Sequence, residues 1–288
     1  MRKVLCIPCG RPPYLAILRK YVERDRHLFD ACHLWVNCPE EHIDYLEEWA
    51  ESDPSFYQLL YLPRPLFEPT DIAHRGGNVQ QFLSLAQDPD TLYVKMDDDT
   101  VFLEHGALES LITYRERHPD PLQVICNTVN NAACAHFHQG NGAFSGVENL
   151  LLSGNGSALV HHPHLGESMN EAFLCQYQAK NLNIFRFKSF QPPIIPICLS
   201  PRYGIRWPNQ VYAFWGRDYR FLADQIAANI DEEWFLTVEA PRLTGRPVIY
   251  LGDKLAVHYS YNKQDAVLSK REDLLTLYRQ IAEVECLP

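Results

Sequence analysis

The sequence predicts an α/β fold whose mainly parallel sheet is flanked by helices. Three observations predict it. Short strand-like runs alternate with helical stretches through the first 130 or so residues, which is the rhythm of βα units and a parallel sheet. The run Leu92-Tyr93-Val94-Lys95-Met96 ends in Asp97-Asp98-Asp99. Three acids are very costly inside a core, so they belong at the carboxyl end of a strand, where open α/β sheets bind ligands. The chain has 288 residues, 46% hydrophobic and 12% aromatic, which is material for one large core or two smaller ones.

Residues 2–7 read as the first strand, and Pro8-Cys9-Gly10-Arg11-Pro12-Pro13 as a turn. Residues 14–27 carry Leu15, Leu18, Tyr21 and Val22 at helical spacing, and Pro13 suits a helix start. Residues 31–36 form the second strand. Pro39 opens a helix to about residue 51, with Ile43, Leu46 and Ala50 on one face. Residues 58–62 form the third strand. Pro63, Pro65 and Pro69 break the chain before His74-Arg75-Gly76-Gly77-Asn78, and a helix with Val79, Phe82, Leu83 and Leu85 leads into the acidic strand. Residues 106–118 are helical and 123–128 a further strand.

The second half reads less regularly. Residues 129–156 are rich in Asn, Ala, His and Gly without clear periodicity. Residues 219–229 and 232–239 read as helical, 247–251 and 255–259 as two short strands. Residues 272–283 close the chain as an amphipathic helix with Leu274, Leu275, Leu277, Tyr278 and Ile281. The halves are expected to share one continuous sheet.

Composition narrows the function. No run of 18 apolar residues occurs, so no transmembrane segment is expected. The N-terminal apolar stretch is too short for a signal peptide and is cut by Pro8 and Gly10. Nine cysteines without a secretory signal read as reduced thiols in a cytoplasmic protein, and the Cys6/Cys9 C-x-x-C reads as structural. The formal net charge is -10 with no Lys/Arg-rich cluster, so strong nucleic-acid binding is not expected.

The acids carry the chemistry. Side chains at i and i+2 of an extended segment point the same way. Asp97 and Asp99 can therefore face one hard cation, with Asp98 turned aside, and that cation can hold a diphosphate. An acidic turn that caps a helix is the plain alternative. Asp231-Glu232-Glu233 opens a helical segment, where carboxylates suit the helix dipole. One of them facing a cleft would serve as a general base or orient an acceptor hydroxyl. His258, in Leu255-Ala256-Val257-His258-Tyr259, is either a hydrogen-bonded core histidine or a ligand. His136/His138 and His161/His162/His164 do not read as a zinc site, because adjacent His161 and His162 diverge. No dinucleotide, P-loop, zincin or hydrolase-elbow motif is present.

The ordered set of these elements resembles a GT-A type glycosyltransferase. Lys95-Met96-Asp97-Asp98-Asp99 is similar to the D-x-D signature, Asp231-Glu232-Glu233 to the acidic catalytic segment, and His258 to the late metal-binding histidine. Val124 to Asn131, His138-Gln139 and His258-Tyr259-Ser260 look like a poorly characterised bacterial and fungal subgroup. The resemblance covers nearly the whole chain. It implies one domain over 1–288, with 1–130 the nucleotide-sugar-binding half and 131–288 the acceptor-side half. It implies that Asp97 or Asp98 contacts ribose or metal, that Asp99 and His258 bind Mn2+ or Mg2+, and that Pro8 and Arg11 lie near the nucleotide. Arg75 and the Gly76-Gly77 turn would approach the diphosphate. Glu232 is the expected catalytic carboxylate, with Asp231 second and Glu233 third. The donor would be a UDP- or GDP-sugar and the acceptor a glycan or other hydroxyl compound. The same acids would also suit a metal-dependent phosphohydrolase or nucleotidyltransferase, or a non-catalytic nucleotide-sugar-binding protein, and a nucleic-acid base is a variant acceptor.

Overall fold

A computed structural model describes residues 1–68, 76–144, 163–200 and 205–287. The first three strands follow the predicted alternation: β1 (Arg2–Cys9), α1 (Pro12–Asp25), β2 (Ala31–Val36), α2 (Ile43–Glu51) and β3 (Tyr57–Leu60). Pro at the first helical positions starts α1, and its Leu15, Leu18, Tyr21 and Val22 are buried as their spacing requires. Then come α3 (Gly76–Leu85), β4 (Thr91–Met96), β5 (Thr100–Leu103), α4 (Ala107–Arg117), β6 (Gln123–Val129) and α5 (Ala132–Gly140). Two strands complete the sheet, β7 (Val211–Trp215) and β8 (Val248–His258).

The eight strands form one sheet in the order β3-β2-β1-β4-β7-β6-β8-β5. The pairs β1–β2, β2–β3, β1–β4 and β6–β8 are parallel. The pairs β4–β7, β6–β7 and β5–β8 are antiparallel. The expected mainly parallel α/β sheet with helices on its faces is therefore what the chain forms. β7 runs antiparallel between β4 and β6 and joins the two halves of the chain. Side chains alternate between two cores: Leu5 and Ile7 face the core shared with α1 and the C-terminal helix Glu272–Glu285, while Val4 and Cys6 face that of α3. Cys6 and Cys9 thus lie on opposite faces, and each is a buried free thiol.

Several boundaries differ from the sequence reading. The two short strands at 247–251 and 255–259 are one strand, β8, whose pairing with β6 shifts between Cys126 and Asn127. Gly252 makes that irregularity: a Cβ there would stand 2.0 Å from the Phe187 carbonyl oxygen, and the Gly252 carbonyl accepts from the Phe187 amide at 3.1 Å. The helix read at 219–229 is two, Gly216–Arg220 and Ala223–Ala228. The segment 232–239 is helical only as Glu232–Trp234 and continues as π-helix over Phe235–Glu239. The stretch 129–156 contains α5, and its residues from 145 onward lie outside those described. The long helix Pro163–Gln178 had no predicted counterpart.

Buried amides tie the second half together. Asn130 has a left-handed φ of 60°, which asparagine tolerates better than most residues. Its Nδ2 donates to the Tyr259 carbonyl at 2.8 Å and to Gln264 Oε1 at 2.9 Å. Asn131 caps α5 through the Ala133 amide at 2.9 Å. Asn130→Ala removes these bonds from a buried site and leaves a β-carbon at positive φ. The expected cost is about 2 kcal/mol, read as a lower denaturation midpoint in urea; an unchanged midpoint would refute the amide's structural role.

Candidate functional site

β1, β4, β6 and β8 run in the same direction, so their carboxyl ends share one edge of the sheet. Only Asp97, Asp98 and Asp99 connect β4 to β5, yet β7, β6 and β8 lie between those strands in the sheet. Four flat inter-strand steps would need about 19 Å, whereas the four residue steps from Met96 to Thr100 reach at most about 14 Å. The sheet must curl, and the acidic link crosses its mouth. There Thr100 pairs with His258 at the end of β8.

The link borders a cleft of about 270 Å³. Pro8, Gly10, Arg11, Asn37, Gly76 and Val79 line one part; Asp97, Asp98, Gln210, Glu232, His258, Ser260, Tyr261 and Asp265 line the rest. Asp98 turns toward β1: its Oδ2 accepts from the Gly10 amide at 2.8 Å and its Oδ1 from Arg11 Nη2 at 2.5 Å. Asp99 is fully buried. Its Oδ2 lies 2.9 Å from Arg11 Nη2 and 3.1 Å from His258 Nε2, and accepts from the Ser260 amide at 3.3 Å. Burial alone would raise the Asp99 pKa, but Arg11 and His258 hold it well below the ordinary carboxylate value. His258 moves the other way: burial opposes its charge, and Asp99 nonetheless raises its pKa.

Two atoms of this network stand without partners. Asp99 Oδ1 and His258 Nδ1 are buried and have no hydrogen-bond partner among the described residues, which is rare for buried polar atoms. Asp97, Asp99 and His258 each offer a ligand atom, and these atoms lie within 4.8 Å of one another. Two carboxylates and an imidazole suit Mn2+ or Mg2+. The donor set thus fits a divalent cation, which would satisfy the orphaned carboxylate oxygen.

The acidic segment divides. Glu232 lines the cleft, with Oε1 3.0 Å from Lys95 Nζ and accepting from the Tyr212 hydroxyl at 3.2 Å. Burial raises its pKa against the pull of Lys95. Asp231 caps the following turn, accepting from the Trp234 amide at 3.1 Å, and pairs with Arg206. It is absent from the cleft lining, so the capping alternative describes its observed contacts. Glu233 Oε1 accepts from Asn131 Nδ2 at 3.3 Å. Burial, more than Arg206 can offset, lifts its pKa from 4.5 to about 7.

Pro8, Arg11, Asp97, Asp98, Glu232 and His258 therefore gather at one cleft, with Asp99 buried against Arg11 and His258, whereas Asp231 and Glu233 do not line it. Arg75 lies outside the described residues. His138 is buried against Asn127 Oδ1 at 2.7 Å, and burial lowers its pKa to about 3, so it is a neutral core imidazole. His164 is exposed and pairs with Glu167 at 3.2 Å; His161 and His162 are not among the described residues. Sequence reasoning missed Lys95, Asn37, Gln210, Tyr261 and Asp265. A lysine inside the apolar run before the acids was the one visible signal.

No protein-family model matches the chain, and no curated protein matches it. Solved structures do match along most of its length. One is a 4-diphosphocytidyl-2C-methyl-D-erythritol synthase from Anaerococcus prevotii DSM 20548, with 12% identity and a TM-score of 0.44 over 97% of this chain and 95% of that one. Another is a CMP:2-keto-3-deoxy-manno-octonic acid synthetase complexed with CTP, with 11% identity and a TM-score of 0.48 over 98% and 100%. A third is the mannose-6-phosphate isomerase of Helicobacter pylori, with 9% identity and a TM-score of 0.40 over 90% and 98%. At these values the likenesses assign neither ligand nor activity. No helix among the described residues is long and apolar enough to cross a membrane.

The raised pKa of Glu233 has a thermodynamic consequence. Between pH 4.5 and 7 the folded chain holds a proton that the unfolded chain has released, so this group's contribution to stability falls as pH rises through that window. Glu233→Gln removes the proton exchange. The wild type should lose more melting temperature between pH 5 and pH 8 than the variant does. Parallel losses in the two proteins would show that Glu233 ionises freely.

Proposed function

We propose that this chain is a metal-dependent glycosyltransferase that moves a sugar from a nucleotide sugar to a hydroxyl acceptor, a glycan being the first class to test. The observation that carries the reading is the buried Asp99 Oδ1, without a hydrogen-bond partner among the described residues, grouped with Asp97 and His258, which line the cleft at the carboxyl edge of the sheet. The D-x-D resemblance and the position of Glu232 on the same cleft support it.

Asp97, Asp99 and His258 would hold Mn2+ or Mg2+, with Pro8 and Arg11 beside the nucleotide. When bound, the cation neutralises charge that develops on the leaving diphosphate. Arg11 braces Asp98 and Asp99 at 2.5 and 2.9 Å and so fixes the direction of both carboxylates. Gly10 brings β1's turn to the same anchor through its amide. Glu232, tethered through Oε1, would use its other oxygen to orient the acceptor hydroxyl and receive its proton. Tyr261 and His258, with ring centroids 4.6 Å apart, both line the cleft.

The same carboxylates would serve a nucleotidyltransferase or a phosphohydrolase, so the test must separate chemistries. Nucleotide sugars, and nucleoside triphosphates paired with sugar phosphates, are screened with Mn2+ by thermal shift, because a bound ligand stabilises the fold by mass action. Acceptor-dependent release of nucleoside diphosphate from a nucleotide sugar is the expected outcome. Pyrophosphate release from a triphosphate, or phosphate release without an acceptor, would replace the proposal by the corresponding alternative.

Two variants sharpen it. Asp99→Asn should weaken Mn2+-dependent binding of a nucleoside diphosphate by at least about tenfold; unchanged affinity would sink the metal assignment. It should also lower stability, since Arg11 and His258 lose a buried partner. Glu232→Gln should abolish transfer with nearly unchanged donor binding, measured by comparing kcat with the calorimetric Kd of the donor.

A further inference from the structure

Lys95 is a buried cation that the expected constellation does not include. It sits in β4, two residues before the acidic link, and is 1% exposed. Its Nζ contacts Asp97 Oδ1, lies 3.0 Å from Glu232 Oε1, and donates to the Asn209 carbonyl at 3.3 Å. The Tyr212 ring lies 5.7 Å away. One ammonium thus joins β4, the acidic link and the helix Glu232–Trp234. A lysine taken fully out of water is costly unless it is paired, and both of its anions border the cleft.

Each partner gives Lys95 one oxygen. Asp97 spends Oδ1 on it, and Glu232 spends Oε1 on it and on Tyr212. Asp97 Oδ2 and Glu232 Oε2 have no hydrogen bond or ion pair among the described residues, and both side chains keep some exposure, 21% and 12%. The charges at the link are Asp97, Asp98, Asp99 and Glu232 against Arg11 and Lys95. The internal cations leave the carboxylates in excess and compete for the same carboxylate charge as any added cation.

We propose that Lys95 is the positioning residue of this cleft: its ammonium clamps Asp97 to Glu232, presents one free oxygen of each to the cleft, and competes with a divalent cation for Asp97. This rests on the reading of Asp97, Asp99 and His258 as a cation site. Its consequence differs from that of a lysine which only fills the core. Removing the ammonium frees Asp97 and leaves one more net negative charge, so cation affinity rises. It also releases Glu232, so chemistry fails. A core-filling lysine would weaken both together.

The test is Mn2+ binding to the full chain, by calorimetry or by the loss of free Mn2+ EPR signal, for the wild type and Lys95→Met. The expected result is that Mn2+ binds about tenfold or more tightly in the variant, while kcat with the donor identified by the screen falls at least about a hundredfold. A folded variant whose Mn2+ affinity is unchanged or weaker overturns the proposal and leaves the cation site standing. A wild type that binds no Mn2+ overturns the site and this inference together. Lys95→Gln, which keeps a hydrogen-bond donor without the charge, carries the same expectation where the methionine variant does not fold. In the wild type, the Lys95 1H–13Cε resonance should shift on addition of Mg2+; a resonance that stays fixed overturns the sharing of Asp97.

Discussion

The three-residue link between β4 and β5 is the constraint on which the rest depends. Consecutive strands joined so tightly would normally be neighbours, yet three strands separate this pair in the sheet. The shortfall between chain reach and flat inter-strand distance forces the curl. The curl in turn brings β8's carboxyl end to the link, so that Thr100 pairs with His258. Asp99 then meets His258 and Ser260 from the far end of the chain. The cleft is a geometric result of that short crossing.

A crossing made of three acids is electrostatically unstable by itself. The fold answers with Arg11 from β1's turn and Lys95 from β4, both held against the carboxylates they neutralise. Such buried pairs add little net stability, because desolvation offsets most of the attraction. Losing one partner would leave an uncompensated charge, so their effect is mainly to fix geometry. The Arg115–Asp218–Arg246 group at the opposite edge behaves alike: Arg246 Nη1 lies 2.5 Å from Asp218, and its Nη2 donates to the Pro119 and Pro121 carbonyls at 2.9 Å. There every acid oxygen is engaged by guanidinium groups. At the cleft, Asp99 Oδ1 is not. That contrast separates a structural ion cluster from a candidate ligand site.

The second half supports the cleft through amides instead of charges. Asn127 bridges the Phe185 and Gly252 carbonyls at 2.8 and 3.2 Å. Asn130 and Asn170 both donate to the Tyr259 carbonyl, and Asn131 reaches the Tyr261 hydroxyl at 2.7 Å. These bonds hold the segment after His258 in place. Over its described residues, a stretch without hydrophobic periodicity is held in place by side-chain amides that satisfy irregular backbone.

Local pattern was enough for the first half. Alternating apolar runs, the prolines at the start of α1 and the spacing of Leu15, Leu18, Tyr21 and Val22 determine β2 to the residue and β1 and α1 to within two residues at their ends, because each buries one face against its neighbours in sequence. The acids after β4 and the late histidine were also legible as residue types. What tertiary structure alone decided was their company. β7, a five-residue apolar run, could not be told from a helix fragment until β4 and β6 flanked it. β8 read as two strands because Gly252-Asp253 looks like a turn, and only the approach of Phe187 makes it a bulge. Among the three acids at 231–233, cap, cleft and buried support were assigned by Trp234, Lys95 and Asn131. Lys95, inside an apolar run, acquires its meaning from Glu232, 137 residues away. Periodicity reports burial along one element, whereas charge pairing across the chain depends on which strand ends the curl brings together.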